Sequence, residues 1–201
     1  MAAGESRRFV SRAGDKLDAA LAEFTVDCLG LRCADFGCNV GGFVDCMLQR
    51  GAASVIAIDT GYGTLAWTLR NDPRVTVRER TNALHADPPS GGVDLISIDL
   101  AWTPQRLAVP AALRWLAPGG RIITLIKPHY EVDGDEKAWL SHGFLPQERA
   151  PDVLERVLAT IPALGADVLG SMRSPLVGGK TSRTRGVPGN VEFLALLQPR
   201  V

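Results

Sequence analysis

Lysine is the scarce residue of this 201-residue chain: of 22 basic residues only Lys16, Lys127, Lys137 and Lys180 are lysines, so each one is worth locating. Long apolar runs are missing too. No stretch approaches the roughly 18–20 residues that a membrane-spanning helix needs, and the opening MAAGESRRFVSRAGDK has no apolar core of the kind a secretory signal carries. A cytoplasmic location is therefore expected, with no membrane partner. Net charge is absent as well, at a formal value of +0, which argues against a protein that coats nucleic acid through bulk charge and leaves room for a local basic patch. Zinc-type cysteine spacing is absent: Cys28, Cys33, Cys38 and Cys46 are separated by four, four and seven residues, unlike the close pairs of structural zinc sites. No metal is expected, and the four thiols are expected to be reduced and partly buried. A monomer is favoured, and a chain of this length is expected to form one domain over residues 1–201, with 1–12 flexible.

What is present is a regular alternation. Residues 13–24 carry Leu17, Ala20, Leu21 and Phe24 at helical spacing. Apolar runs at 31–36, 54–59, 74–80, 93–99, 121–127, 166–172 and 190–198 read as seven strands. Helices are expected at 42–50, 62–70, 103–116 (interrupted near Pro110) and 153–164, a Pro-Gly-Gly turn at 118–120, and loops at 131–147 and 178–189. Strands alternating with helices predict an α/β fold, a mostly parallel sheet with helices on both faces, whose last two strands are antiparallel neighbours. Ligands of such sheets sit at the carboxyl ends of the strands. Asp35, Asp59, Asp99 and Lys127 all fall at expected strand ends.

The stretch DFGCNVGGF, Asp35–Phe43, is the sharpest local signal. Its Asp35, Gly37, Gly41 and Gly42 resemble a dinucleotide-binding turn with an acid in place of the first glycine. Glycines and a helix start suit a pyrophosphate; a carboxylate repels one and attracts a cationic or amino-bearing ligand. Asp59, ending the second strand, suits a ribose hydroxyl or, equally, a turn in Asp59-Thr60-Gly61. Asn82 suits an adenine edge or a plain loop. Lys127, closing an apolar strand, is either paired with Asp99 or Glu131 or acts on a substrate hydroxyl. Glu192 could face water from an edge strand. His85, His129 and His142 share no ligand spacing and read as structural or exposed.

Several stretches together resemble the FtsJ-like ribosomal RNA 2′-O-methyltransferases, in their TlyA/hemolysin-type branch: SRAGDKL (11–17), DFGCNVGGFVDCMLQRGA (35–52), AIDTGYGTLAWTLRNDPRV (57–75), ERTNA (79–83), ISIDL (96–100), LIKPHYE (125–131) and GNVEFL (189–194). The resemblance implies a Rossmann-like class I methyltransferase fold of seven strands, S-adenosyl-L-methionine as cofactor and RNA, ribosomal above all, as partner. It implies cofactor contacts from Asp35, Gly37, Gly41, Gly42, Phe43, Asp59, Asn82 and Asp99. It also implies a catalytic tetrad of Lys16, Asp99, Lys127 and Glu192. The N-terminal S4 RNA-binding domain usual in that branch is not expected here. Cys38-Asn39, Ala101-Trp102 and His129-Tyr130 depart from the family pattern. RNA contact is expected from Arg7, Arg8, Arg12, Lys180, Arg183, Arg185 and Trp102. A methyltransferase of another hydroxyl, and a non-catalytic RNA-binding or hemolysin-like protein, are the alternatives.

Overall fold

A computed structural model describes residues 7–178 and 189–200. Leu17, Ala20 and Leu21 share one face of α1 (Ala13–Glu23) and are fully buried, as amphipathic spacing requires. Then follow β1 (Arg32–Phe36), α2 (Gly42–Gln49), β2 (Ser54–Ile58), α3 (Trp67–Arg70), β3 (Val75–Arg78) and β4 (Val93–Ile98). The second half comprises α4 (Gln105–Leu113), β5 (Leu116–Ile126), α5 (Pro128–Glu131), α6 (Ala150–Thr160), β6 (Ala166–Arg173) and β7 (Phe193–Pro199).

The seven strands form one sheet in the order β3-β2-β1-β4-β5-β7-β6. Strands β1 to β5 pair in parallel, and β7 runs antiparallel between β5 and β6. Chain order reverses between β1 and β4, the place where such sheets open a ligand crevice. Both faces are covered. Leu95 and Ile123 point into a core with Leu17 of α1 and Met47 of α2, whereas Ile96 and Ile122 point into a core with Val109 of α4, Trp115 and Val153 of α6. Burial on both faces is why these strands read as largely apolar runs.

Four local differences from the sequence reading have physical causes. Only Trp67–Arg70 is helical in the expected 62–70 helix; Gly63 at φ +72 and the Asp59 turn onto the Gly61 N–H occupy the chain before it. Pro118-Gly119-Gly120 lies within β5 rather than ahead of it, at an irregularity where Val93 pairs Leu116 and Leu95 pairs Arg121, a bulge that the glycines accommodate. The 153–164 helix starts at Ala150 and gives way after Thr160 to a 3-10 turn, Ile161–Leu164, around Pro162, which has no amide to donate. The expected 131–147 loop contains short 3-10 turns at Gly134–Trp139 and Gln147–Arg149.

Residues 7–12, expected to be flexible, pack onto α2. Phe9 is buried, the Val10 N–H donates to Asp45 Oδ2 at 2.8 Å, and Gln49 Nε2 donates to the Arg8 carbonyl at 3.0 Å. No helix among the described residues is long and apolar enough to cross a membrane.

Candidate active site

Strand β1 runs straight into the glycine loop. Gly37 has φ +92, and a Cβ there would stand 2.6 Å from the Asp99 carbonyl oxygen, so both its conformation and the closeness of β4 exclude a side chain. The Asp99 N–H closes the same junction on the Phe36 carbonyl at 2.9 Å. Gly41, at φ +100, precedes α2 as its cap and makes space for Leu65 and Leu69. Gly42 lies under Ser11, whose Oγ would be 2.3 Å from an added Cβ. The loop thus brings β4, α3 and the N-terminal segment against the start of α2.

Asp35 is 1% exposed. Its Oδ1 accepts a hydrogen bond from the Ser97 hydroxyl at 2.7 Å, while Oδ2 is buried without a partner. Burial pushes the carboxyl up to about 8 against the stabilising Ser97 bond, with Asp99 and Asp59 adding to the rise. An orphaned, buried carboxylate oxygen lining a cavity calls for a cationic donor.

Two cavities open over the strand ends. The first, about 280 Å³, is lined by Ser11, Arg12, Lys16, Asp35, Phe43 and Asp99 among others. The second, about 300 Å³, is lined by Asp59, Asn82, Leu100 and Trp102 among others; the two share Gly37, Asn39 and Asp99. Asp35, Gly37, Gly42, Phe43 and Asp99 therefore meet at one end of a groove, and Asp59 and Asn82 at the other. Gly41 lines neither cavity; its place is structural. Asp59 makes the turn considered above, accepting from the Gly61 N–H at 2.7 Å, and also from the Asn39 N–H at 2.8 Å. Carboxylate oxygens have lone pairs left for a ligand after one bond each. Asn82 Oδ1 accepts from the Leu84 N–H at 3.0 Å, which aims its amide along the loop.

Lys16, Asp99, Lys127 and Glu192 come together as two ion pairs. Ile126 pairs with Phe193 in the antiparallel β5–β7 ladder, so Lys127, just after β5, and Glu192, just before β7, stand at the same sheet edge. Asp99 follows β4 on the other side of β5. Lys127 Nζ lies 2.5 Å from Asp99 Oδ1 and donates to the Leu100 carbonyl at 3.5 Å. Glu131 does not take part: it accepts from the Gln105 N–H at 2.9 Å, and burial pushes it up to about 7. Lys16, from the buried face of α1, pairs with Glu192 Oε2. Lys16 is 7% and Glu192 3% exposed, so Glu192 does not face water. Two charges this deep persist only as a pair. Lys16 and Asp99 line the first cavity, and Glu192 and Lys127 are held against them by the two ion pairs.

Sequence reasoning missed Ser97 and Ser11, and it offers Arg12 only as an RNA contact. Ser97 is, with Asp94, one of two polar residues in an otherwise apolar strand, which is a signal once the acid on the neighbouring strand is suspected of being buried. Arg12 lines the first cavity, while Arg8 is engaged with Asp18 at 2.5 Å. Trp102, at φ +60 and 80% exposed, rests against Tyr130 with centroids 4.6 Å apart. His129 packs on Tyr130, its Nδ1 buried and unpartnered; burial, with Lys127 beside it, pushes the imidazole down to about 4. The four cysteines are buried and free, their thiols pushed upward by burial, which makes them inert. Lys180, Arg183 and Arg185 lie outside the described residues.

The lining of the two cavities is chemically compatible with S-adenosylmethionine. The orphaned Asp35 oxygen suits its cationic amino acid portion, the Ser11 hydroxyl and the start of α2 its carboxylate, and Asp59 and Asn82 its ribose and adenine. Comparison with known proteins agrees. The 16S/23S rRNA (cytidine-2′-O)-methyltransferase TlyA of Mycobacterium tuberculosis is 41% identical over 197 residues, covering 96% of this chain and 69% of the relative. Hemolysin A of Brachyspira hyodysenteriae is 32% identical over 193 residues, 94% of this chain and 76% of its own. Among solved structures, the "Putative hemolysin from Streptococcus thermophilus" superimposes with a TM-score of 0.88 at 36% identity, over 98% of this chain and 70% of that one. The FtsJ-like methyltransferase family matches residues 9–180, and the chain belongs to that family.

Proposed function

We propose that this chain transfers a methyl group from S-adenosylmethionine to a ribose 2′-hydroxyl of RNA, ribosomal RNA being the substrate class. The observation that carries the reading is the pair of ion pairs, Lys16–Glu192 and Lys127–Asp99, at the rim of a groove suited to the cofactor. A module that only binds RNA has no use for a lysine and an acid buried as a pair, where they cost desolvation, beside a second, half-buried pair at the same sheet edge. The match to a cytidine-2′-O-methyltransferase over most of the chain supports the reaction and the RNA substrate.

When bound, S-adenosylmethionine supplies a methyl group activated by its sulfonium. The protein's task is positioning. Asp35 holds the cationic end of the donor, and Asp59, anchored on the Asn39 and Gly61 amides, holds the ribose. Lys127, fixed by Asp99, donates a hydrogen bond to the acceptor oxygen and holds it in line, an arrangement that supplies much of the rate in such displacements. Lys16 places a second cation on the wall of the cavity, where negative charge develops as the hydroxyl proton passes to solvent water. Trp102, exposed beside Asp99 and braced by Tyr130, offers a flat surface for an unstacked base.

The test is tritium transfer from labelled S-adenosylmethionine into separated RNA, protein and small-molecule fractions. Label in ribosomal RNA alone is expected. Label in protein or small molecules, with none in RNA, would remove RNA as the substrate.

A further inference from the structure

Gly178 is the residue whose smallness the site uses most directly. Its backbone does not require glycine: the positive-φ glycines do not include it. What it requires is empty space. A Cβ built there would lie 2.0 Å from Glu192 Oε1 and 2.7 Å from its Cδ, distances that real Cβ atoms do not reach. The Gly178 N–H donates to the Asn190 carbonyl at 2.8 Å, an isolated antiparallel bridge that fixes the height of Gly178 against Glu192. The Glu192 carbonyl is held in turn by the Ser174 N–H at 2.9 Å, and Asn190 is tied to Gly143 and Leu145 by both ends of its amide. One side of the carboxylate therefore rests against the bare backbone of Gly178, and the other meets Lys16.

We propose that Gly178 is a positioning residue for methyl transfer: its lack of a side chain seats the Glu192 carboxylate on Lys16 and so sets where the Lys16 ammonium stands in the cavity. The inference rests on the reading of Lys16 and Glu192 as part of the catalytic machinery. A methyl group at position 178 would drive the Glu192 carboxylate away and turn Lys16 with it, since the pair is buried and its members move together. Asp59 lines the second cavity, which Lys16 does not, so the ribose end of the donor site is left in place. Gly189 provides the internal control. The atoms nearest a Cβ there are the Gly178 carbonyl, at 2.0 Å, and Val177, so its replacement strains the same bridge without a direct clash with the Glu192 carboxylate.

The test is kcat and cofactor affinity for Gly178→Ala, Gly189→Ala, Glu192→Asp and the doubles that combine Glu192→Asp with each glycine variant. Gly178→Ala should lower kcat by roughly 100-fold, the penalty of a displacement of about 1 Å near the chemistry, with cofactor Kd within about three-fold. Glu192→Asp, one methylene shorter, should impair the parent protein yet recover about ten-fold in kcat when added to Gly178→Ala. It should recover nothing when added to Gly189→Ala. Near-parental kcat in Gly178→Ala overturns the proposal, and so does a Gly178→Ala defect that Glu192→Asp leaves unrelieved. Should Gly178→Ala fail to fold, the double variant must fold, and its failure to do so also counts against the proposal. Glu192→Ala separates the underlying reading: full activity there would remove Glu192 from the site, independently of Gly178.

Discussion

Lys127 Nζ and Asp99 Oδ1 stand 2.5 Å apart across the ends of two neighbouring parallel strands, β5 and β4. Asp99 is itself tied back to β1, its N–H donating to the Phe36 carbonyl at 2.9 Å. The lysine is thereby fixed to the strand that carries the glycine loop. Two hydrogen-bonded links thus connect Lys127, through Asp99, to the glycine loop beside the point where the sheet order reverses.

Lys127→Ala should therefore separate chemistry from binding. Methyl transfer is expected to fall by roughly 100- to 1,000-fold, as when one donor aimed at developing charge is lost. Cofactor Kd, measured by calorimetric titration, should stay within about three-fold. Collapse of both together would make Lys127 a structural cap on the sheet.

Asp59→Ala should act on the donor side. Loss of hydrogen bonds to a charged group predicts a weakening of S-adenosylmethionine binding by about 1.5–3 kcal/mol. Because Asp59 Oδ2 also holds the Asn39 amide, and Asn39 stands at φ +47, the variant should lose hydrogen-exchange protection at Asn39. Unchanged affinity in a folded variant would remove Asp59 from the site.

Asp35 predicts a trade between stability and binding that depends on pH. Its carboxyl titrates near 3.8 when unfolded and is pushed up to about 8 in the fold. Between those values the native state holds the extra proton, so stability falls as pH rises through that window and the full penalty is present above about 8. Asp35→Asn should consequently raise Tm more at about pH 8.5 than at about pH 5, while weakening cofactor binding. In the parent protein, a cationic ligand favours the carboxylate, so binding near neutral pH should release a proton. Calorimetry in buffers of differing ionisation enthalpy measures that release, and a buffer-independent heat would contradict it.

The Lys16–Glu192 pair should behave as a unit. Lys16→Met alone or Glu192→Gln alone leaves a buried charge or its desolvated partner stranded, with an expected cost of about 3–5 kcal/mol for removing one member. The double variant should be much less destabilised than the sum, because neither charge then remains. Denaturant titration of the three variants measures the coupling; simple additivity would mean that the two side chains do not depend on each other.

Much of the architecture is readable in the sequence for a physical reason. Strands such as β4 and β5, buried on both faces, leave largely apolar runs, and Asp35, Asp99 and Lys127 mark where those runs reach the ligand edge. The glycine loop is readable because Gly37 has to be glycine. The pairing of Lys16 with Glu192 is a different matter. The two lie 176 positions apart, and only the antiparallel insertion of β7 beside β5 brings Glu192 to the edge that α1 covers. Spacing carries no trace of that contact; the family resemblance does. Ser97 and Ser11 are silent because a serine is ordinary until a buried carboxylate or a helix start is found beside it. The 62–70 segment reads as helix on composition, and Gly63 and the Asp59 turn override it.

The most direct measurement of the central account is the chemical position of the transferred methyl group. Ribosomal RNA labelled by the enzyme would be digested with alkali, which cleaves only where a free 2′-hydroxyl can attack the neighbouring phosphate. Methylation at the ribose blocks that attack, so the label is expected in alkali-resistant dinucleotides, and Lys127→Ala should yield almost none. Label recovered in mononucleotides, marking a methylated base, would contradict the account.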